Sequence, residues 1–285
     1  MNNLSHIKSN FESYQRIAKL YDDNKEEYFG DINISLLNWF SANMSAPLGC
    51  VLDLLENNIN TIKFANINYS IKKILTKNEF LAYYGYPIEV DINNTTIKYL
   101  KLEKTDGKYF KNYITQYFLN RNEFINISED LRYQLTESIY EIFVNAQIHS
   151  ESSYIYSCGQ FFPNLNKIEF CIVDNGMGFK DKVNKRFNWN LNSVQAIEWA
   201  LIDKNTTKIG ITGGIGLALL EEFICRNGGE FQIVSYDGFY SKNSLGMITE
   251  RQLDFSFPGT IINLIVNTDR ISTNFPQVPN INEIF

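Results

Sequence analysis

Only two histidines occur in the 285 residues, His6 and His149, and the four cysteines, Cys50, Cys158, Cys171 and Cys225, are scattered without Cys-x-x-Cys spacing. Neither a zinc site nor a disulfide framework is expected from such a set, and buried thiols are. No uninterrupted apolar run reaches the length of a membrane span. The start, Met-Asn-Asn-Leu-Ser-His, lacks the basic residues and apolar core of a signal peptide, so a cytoplasmic chain without membrane contact is expected. Positive charge is not in surplus either. A net charge of -6 argues against a nucleic-acid partner held by bulk electrostatics.

What is present is the composition of a globular protein, 44% hydrophobic and 20% charged, with chain enough for two domains. Residues 11–21 predict a helix. Strands at 32–40 and 61–67 alternate with helices at 48–55 and 71–83, the last stopped by Gly85-Tyr-Pro87, which implies a small α/β layer. A hairpin of 88–92 with 95–102 across Asn93-Asn94 and a helix at 109–119 follow. Further on, strands at 154–162, 167–173, 230–236, 247–257 and 260–266 are expected to form a mixed sheet with helices on one face. Residues 271–285 read as a polar tail.

Three stretches carry chemistry. From Ser128 to Ser150, Leu131, Leu135, Ile139, Ile142 and Ala146 recur at helical spacing, with Ser128 as N-cap before Glu129 and Asp130. Steps of four then set Glu141, Asn145 and His149 in one staggered row along that helix. Asp174-Asn-Gly176-Met-Gly178 follows the apolar run Ile168-Glu-Phe-Cys-Ile-Val173, so the carboxylate sits where a buried strand opens into a loop. Gly210-Ile-Thr-Gly213-Gly214-Ile-Gly216-Leu217 then feeds an apolar helix at 217–224. Glycine-rich backbone at a helix N-terminus is a ready anion cradle, because free N–H groups and the helix dipole face the ligand.

Glu-x3-Asn, then Asp-x-Gly-x-Gly, then a glycine-rich turn ending Gly-x-Gly-Leu, in that order, resembles the ATP-binding domain of the GHKL superfamily of gyrase, heat-shock chaperones, histidine kinases and MutL. Pro258-Gly259-Thr260 before an apolar strand is similar to a fourth box of that family. The resemblance spans roughly residues 123–270 and implies a Bergerat-type α/β sandwich. Residues 1–122 loosely resemble a STAS-type module, the α/β partner of anti-sigma-factor kinases. It is read as a docking or self-association module rather than a phosphoacceptor, for which Ser70 is a poor candidate.

The resemblance implies ATP and Mg²⁺ as ligands. Asn145 is expected on the metal, which favours oxygen ligands shared with phosphates, and Glu141 is expected to orient or deprotonate the attacking water or hydroxyl. Asp174 is to accept the adenine amino proton, with Gly176 and Gly178 letting backbone pass close to the base. Gly213, Gly214, Gly216 and Leu217 form the phosphate-facing turn, and residues 179–208 are an ATP lid. Three assignments stay open: His149 near phosphate or complementing its helix dipole, Lys208 on phosphate or in solvent, and Thr260 at the adenine or simply opening a strand. A histidine autokinase is not expected, since His6 precedes Ile7 rather than an acid. Nor is a gyrase- or MutL-like enzyme, which needs a further domain after the ATP module. A slow ATPase or protein phosphotransferase is the leading expectation; a nucleotide-sensing regulator without turnover, antitoxin-like in use, and an anti-sigma-type serine kinase are the alternatives.

Overall fold

A computed structural model describes residues 2–103, 105–149, 154–202, 205 and 215–269. The first strand, β1 (Asn2–Ile7), is followed by α1 (Phe11–Asn24), β2 (Asp31–Phe40), α2 (Ser45–Glu56), β3 (Thr61–Ile67) and α3 (Tyr69–Lys77). These strands form a three-stranded sheet in the order β1-β2-β3 in which both pairings are parallel. Along β2, Ile32, Ile34 and Leu36 are buried while Asp31 and Asn33 are exposed, the period-two pattern of a strand, an alternation that ends at Ser35, buried on the opposite side. The expected helix at 71–83 is broken. Asn78, fully buried, donates to Ser45 Oγ at 3.1 Å and accepts the Phe80 N–H at 3.0 Å, which ends α3 and starts a short 3-10 turn at Phe80–Tyr84.

Next come β4 (Thr96–Glu103), α4 (Gly107–Tyr113, continued by a π-helical turn at Ile114–Leu119), α5 (Glu129–His149), β5 (Tyr154–Phe162) and β6 (Lys167–Asp174). The hairpin expected across Asn93-Asn94 does not form. Residues 88–92 form no strand: the Asp91 carboxylate takes the Thr96 N–H at 2.7 Å and the Lys77 ammonium at 3.2 Å, the Ile92 N–H turns back to Val90 O, and β4 pairs with β5 instead. The chain closes with α6 (Phe179–Phe187), α7 (Ser193–Leu201), α8 (Ile215–Arg226), β7 (Glu230–Ser235), β8 (Gly238–Asn243), β9 (Ile248–Gln252) and β10 (Thr260–Asn267). Strand β8 was not expected from its polar sequence. The strand expected at 247–257 ends at Gln252, beyond which Leu253 and Phe257 turn into the core.

The seven strands β4-β5-β6-β10-β7-β8-β9 make one sheet. The expectation of a mixed sheet is corrected: every pairing in it is antiparallel. Helices on one face only is corrected as well, because the inner strands carry apolar side chains on both. Ile168, Phe170 and Ile172 of β6 share a core with Leu135, Ile139 and Ile142 of α5 and Leu220 of α8, whereas Cys171 and Val173 join a second core with α1 and α2. Helix α2 is buried nearly all round, as a helix between two sheets must be. Strand β4, from before residue 122, belongs to the same sheet as the later strands.

A polar seam runs through the second core. Asn43 Nδ2 donates to Ser9 Oγ at 2.8 Å and to Asn263 Oδ1 at 3.0 Å, and Ser9 Oγ donates to Glu169 Oε2 at 2.7 Å. Asn263 Nδ2 reaches Gln232 Oε1 at 3.1 Å, which also accepts the Tyr14 hydroxyl at 2.8 Å. Strands β6, β7 and β10 are thus tied to the first 45 residues by buried amides. Replacing Asn263 by Ala is expected to lower unfolding free energy by about 1–3 kcal/mol, the cost of orphaning buried polar groups. Because one core spans both halves, denaturant unfolding followed by fluorescence and by circular dichroism should give one coincident transition; two separate transitions would contradict the shared core.

Candidate functional site

Helix α5 begins as its sequence dictates, with Ser128 Oγ accepting the Leu131 N–H at 3.2 Å. Leu131, Leu135, Ile139, Ile142, Phe143 and Ala146 are buried, which leaves Glu141 and Asn145 half-buried one turn apart. Glu141 Oε2 accepts the backbone N–H of Gly216 at 3.0 Å. Gly216 lies in the first turn of α8, where N–H groups have no partner within the helix, and a carboxylate there gains both the hydrogen bond and the helix dipole. The contact also requires the glycine, since a Cβ at 216 would fall 2.3 Å from Oε2. Leu217, next along, is a core residue.

The second group gathers at the end of β6. Asp174 is 8% exposed, and its Oδ1 accepts the Gly176 N–H at 2.9 Å. Burial raises its carboxyl pKa above the ordinary range, opposed in part by the Lys182 ammonium and the Gly176 N–H; burial in turn lowers the Lys182 pKa, against the pull of Asp174. Thr260 stands opposite Asp174 in one ladder and opposite Ser235 in the other, with its hydroxyl 3.3 Å from Ser235 Oγ. Ser235 Oγ also accepts the Phe179 N–H at 3.0 Å, so the first turn of α6 is fastened to β7.

Two glycines there answer to space. At Gly178 a Cβ would lie 2.7 Å from Ser235 Oγ, and at Gly259, with φ +152°, it would lie 1.9 Å from the Asp174 carbonyl oxygen. Tyr236 closes the group in the left-handed region, φ 53°, and its hydroxyl donates to Asp181 at 2.9 Å.

The structure thus joins Glu141 with Gly216, and Asp174 with Gly176, Gly178 and Thr260. Of His149 only the helical backbone is described, while Lys208, Gly213 and Gly214 lie outside the described residues, as does most of the stretch 203–214 and the tail 271–285. Ser70, the first-module candidate, is exposed in the first turn of α3, where its hydroxyl donates to Asn68 Oδ1 at 2.7 Å. Among the described residues no group of three or more His, Cys, Asp or Glu side chains could hold a metal on its own. Ser235, Tyr236 and Lys182 were missed in the sequence. Lys182 follows Gly178 by four residues, so a helix read from Phe179 would have turned it back toward Asp174; for Ser235 and Tyr236 no local signal exists, since only long-range pairing brings them there. Compared with protein-family models and with curated proteins, the chain matches none.

A carboxyl whose pKa is raised by folding binds its proton more tightly in the native state than in the unfolded chain. Stability from it is therefore fullest below the unfolded value, about 4, and is lost as pH rises through the folded value. Asp174→Asn keeps the Oδ1 acceptor for Gly176 and removes the titration. Thermal melts across pH should show the stability of this variant relative to the native protein declining as pH is lowered through that window; a pH-independent difference would mean that Asp174 is solvated.

Proposed function

We infer that this chain binds Mg·ATP in the manner of a GHKL domain, and hydrolyses it slowly or transfers its γ-phosphate to a protein. The observation that carries the reading is the contact of Glu141 with Gly216, 75 residues apart, which joins the Glu-x3-Asn helix to the glycine-rich turn. The pairing of Asp174 with Thr260 supports it at the base-recognition end. On this reading the seven-stranded sheet with α5 and α8 is a Bergerat-type sandwich, and the three-stranded layer before it a STAS-like module that docks a protein or a second copy.

Asp174 fits an adenine acceptor: it is buried, one oxygen is already committed to Gly176, and the backbone beside it is glycine. A carboxylate has acceptor capacity beyond that one bond. Asn145, half-buried and one turn from Glu141, offers the single amide oxygen that Mg²⁺ takes when phosphates and water supply the rest. The ion would offset negative charge on the phosphates. Glu141 would orient the attacking water or hydroxyl and receive its proton. That its carboxylate is held by the Gly216 N–H favours a second reading, a nucleotide sensor without turnover, since a base so engaged is a weaker acceptor.

Calorimetry should find Mg-dependent ATP binding with GTP excluded, and Asp174→Asn should weaken it by about 1.5–3 kcal/mol through loss of a charge-assisted hydrogen bond. Equal GTP binding, or indifference to the substitution, would remove the assignment. Glu141→Gln separates enzyme from sensor: binding is retained and phosphate release falls about a hundredfold or more if Glu141 is the base. Release that ignores this change rules out the catalytic role, and no release by the native protein, with partner present, selects the sensor.

A further inference from the structure

Two large apolar residues on the N-terminal layer are held out to solvent by backbone that neither favours. Phe29, between α1 and β2, has φ 58° and is 77% exposed; Ile59, between α2 and β3, has φ 61° and is 66% exposed. For a β-branched residue a positive φ is a genuine outlier. Of the nine non-glycine residues with positive φ among those described, four are asparagine, Asn38, Asn94, Asn166 and Asn188, the residue type that tolerates this conformation best. At 29 and 59 the chain instead carries side chains that gain little from folding.

The two loops are fixed together. Phe29 N–H donates to Asn58 O at 3.3 Å, Asn58 Nδ2 to Lys25 O at 2.8 Å, and the buried Asn60 spans both loops through Glu27 O at 2.7 Å and the Gly30 N–H at 2.9 Å. Tyr28, 57% exposed, lies beside them in the chain. Phe29 and Ile59, both exposed, are thus held on two adjoining loops at the start of the paired strands β2 and β3. Strained residues persist where surrounding structure over-determines them, and they concentrate at binding sites.

The rim sets the partner. Asp22 and Asp23 are paired with Lys25 and Lys19, whereas the exposed Glu26 and Glu27, which adjoin Tyr28 in the chain, form no ion pair among the described residues. An anionic lipid surface or a nucleic-acid backbone is repelled by such a rim, and an isologous second copy would set carboxylate against carboxylate. We propose that the Tyr28–Phe29–Ile59 surface docks a basic, apolar protein segment, with aliphatic or aromatic side chains on Phe29 and Ile59 and Lys or Arg on Glu26 and Glu27. This surface is independent of the nucleotide reading.

Asparagine tests it without the usual confusion between lost binding and lost folding, because it relieves the backbone while removing the apolar contact. The double variant Phe29→Asn/Ile59→Asn should melt no lower than the native protein, and a rise of about 2 °C or more is expected. A display library of short random peptides, selected on the native protein and counter-selected on the double variant, should yield Lys- or Arg-containing apolar sequences. Their affinity, read by fluorescence anisotropy, should fall about tenfold or more on the double variant and likewise on Glu26→Lys/Glu27→Lys. The proposal is overturned by a lower melting temperature, which assigns the side chains to folding, or by the absence of any peptide that distinguishes the two proteins. Acidic or neutral winners overturn it too, as does a native dimer by light scattering that the double variant abolishes.

Discussion

A sheet whose central strands are apolar on both faces must be covered twice, and most of this architecture follows from that requirement. In β6, Ile168, Phe170 and Ile172 alternate with Glu169, Cys171 and Val173, and all six are buried. Helices α5 and α8 cover the first set; the second needs a separate layer, which α1 and α2 provide. The N-terminal sheet then buries the outer side of α2, leaving only its last turn, at Asp53, Leu54 and Glu56, to reach solvent. The two halves of the chain therefore share a core, and neither could expose its side of the sheet without losing several fully buried residues at roughly 1.5–3 kcal/mol each.

Apolar contact alone would leave the docking of that second layer free to slide. The amides of Asn43, Asn263 and Gln232, with Ser9, Tyr14 and Glu169, give it one arrangement, because any shift breaks several buried hydrogen bonds together. Glu169 is tolerable at 3% exposure only because Ser9 and Lys167 engage both its oxygens, at 2.7 Å each. None of this was visible in sequence. Gln232 and Asn263 lie within otherwise apolar strands, and a polar residue in such a run signals its partner only when the facing layer is known.

Elements whose pattern is local were legible: the capped helix α5, the strands β3, β5 and β6, and the order of Asp174 before Thr260. Those that depend on distant pairing were not. Strand β8 is polar enough to pass for loop and is held by β7 on one side and β9 on the other. Residues 88–92 have the alternation of a strand, with Ile88, Val90 and Ile92 strongly exposed, but Asp91 is committed to Thr96 and Lys77, and none of the described strands pairs with them. At the candidate site the same division holds. Asp174 and its glycines were readable because strand and turn adjoin in the chain, whereas Ser235 and Tyr236 reach the site only through the register of β10 with β7.

The unfavourable features of the molecule are not spread evenly. At the end of β6 a buried carboxyl, a lysine with lowered pKa and a left-handed Tyr236 lie together; at the edge of the N-terminal layer, Phe29 and Ile59 are strained and exposed. Each is stable only because its surroundings are fixed by something stronger. Asp174 ends a strand paired along its whole length on both sides, and Gly259 lets β10 come so close to its carbonyl that no other residue would fit. Phe29 and Ile59 hang from Asn58 and Asn60, on loops whose strands feed the shared core. A scaffold buried on both faces of its central sheet can hold such residues where a single-layer domain of the same length would relax them away, which ties the two-sided core to both candidate surfaces.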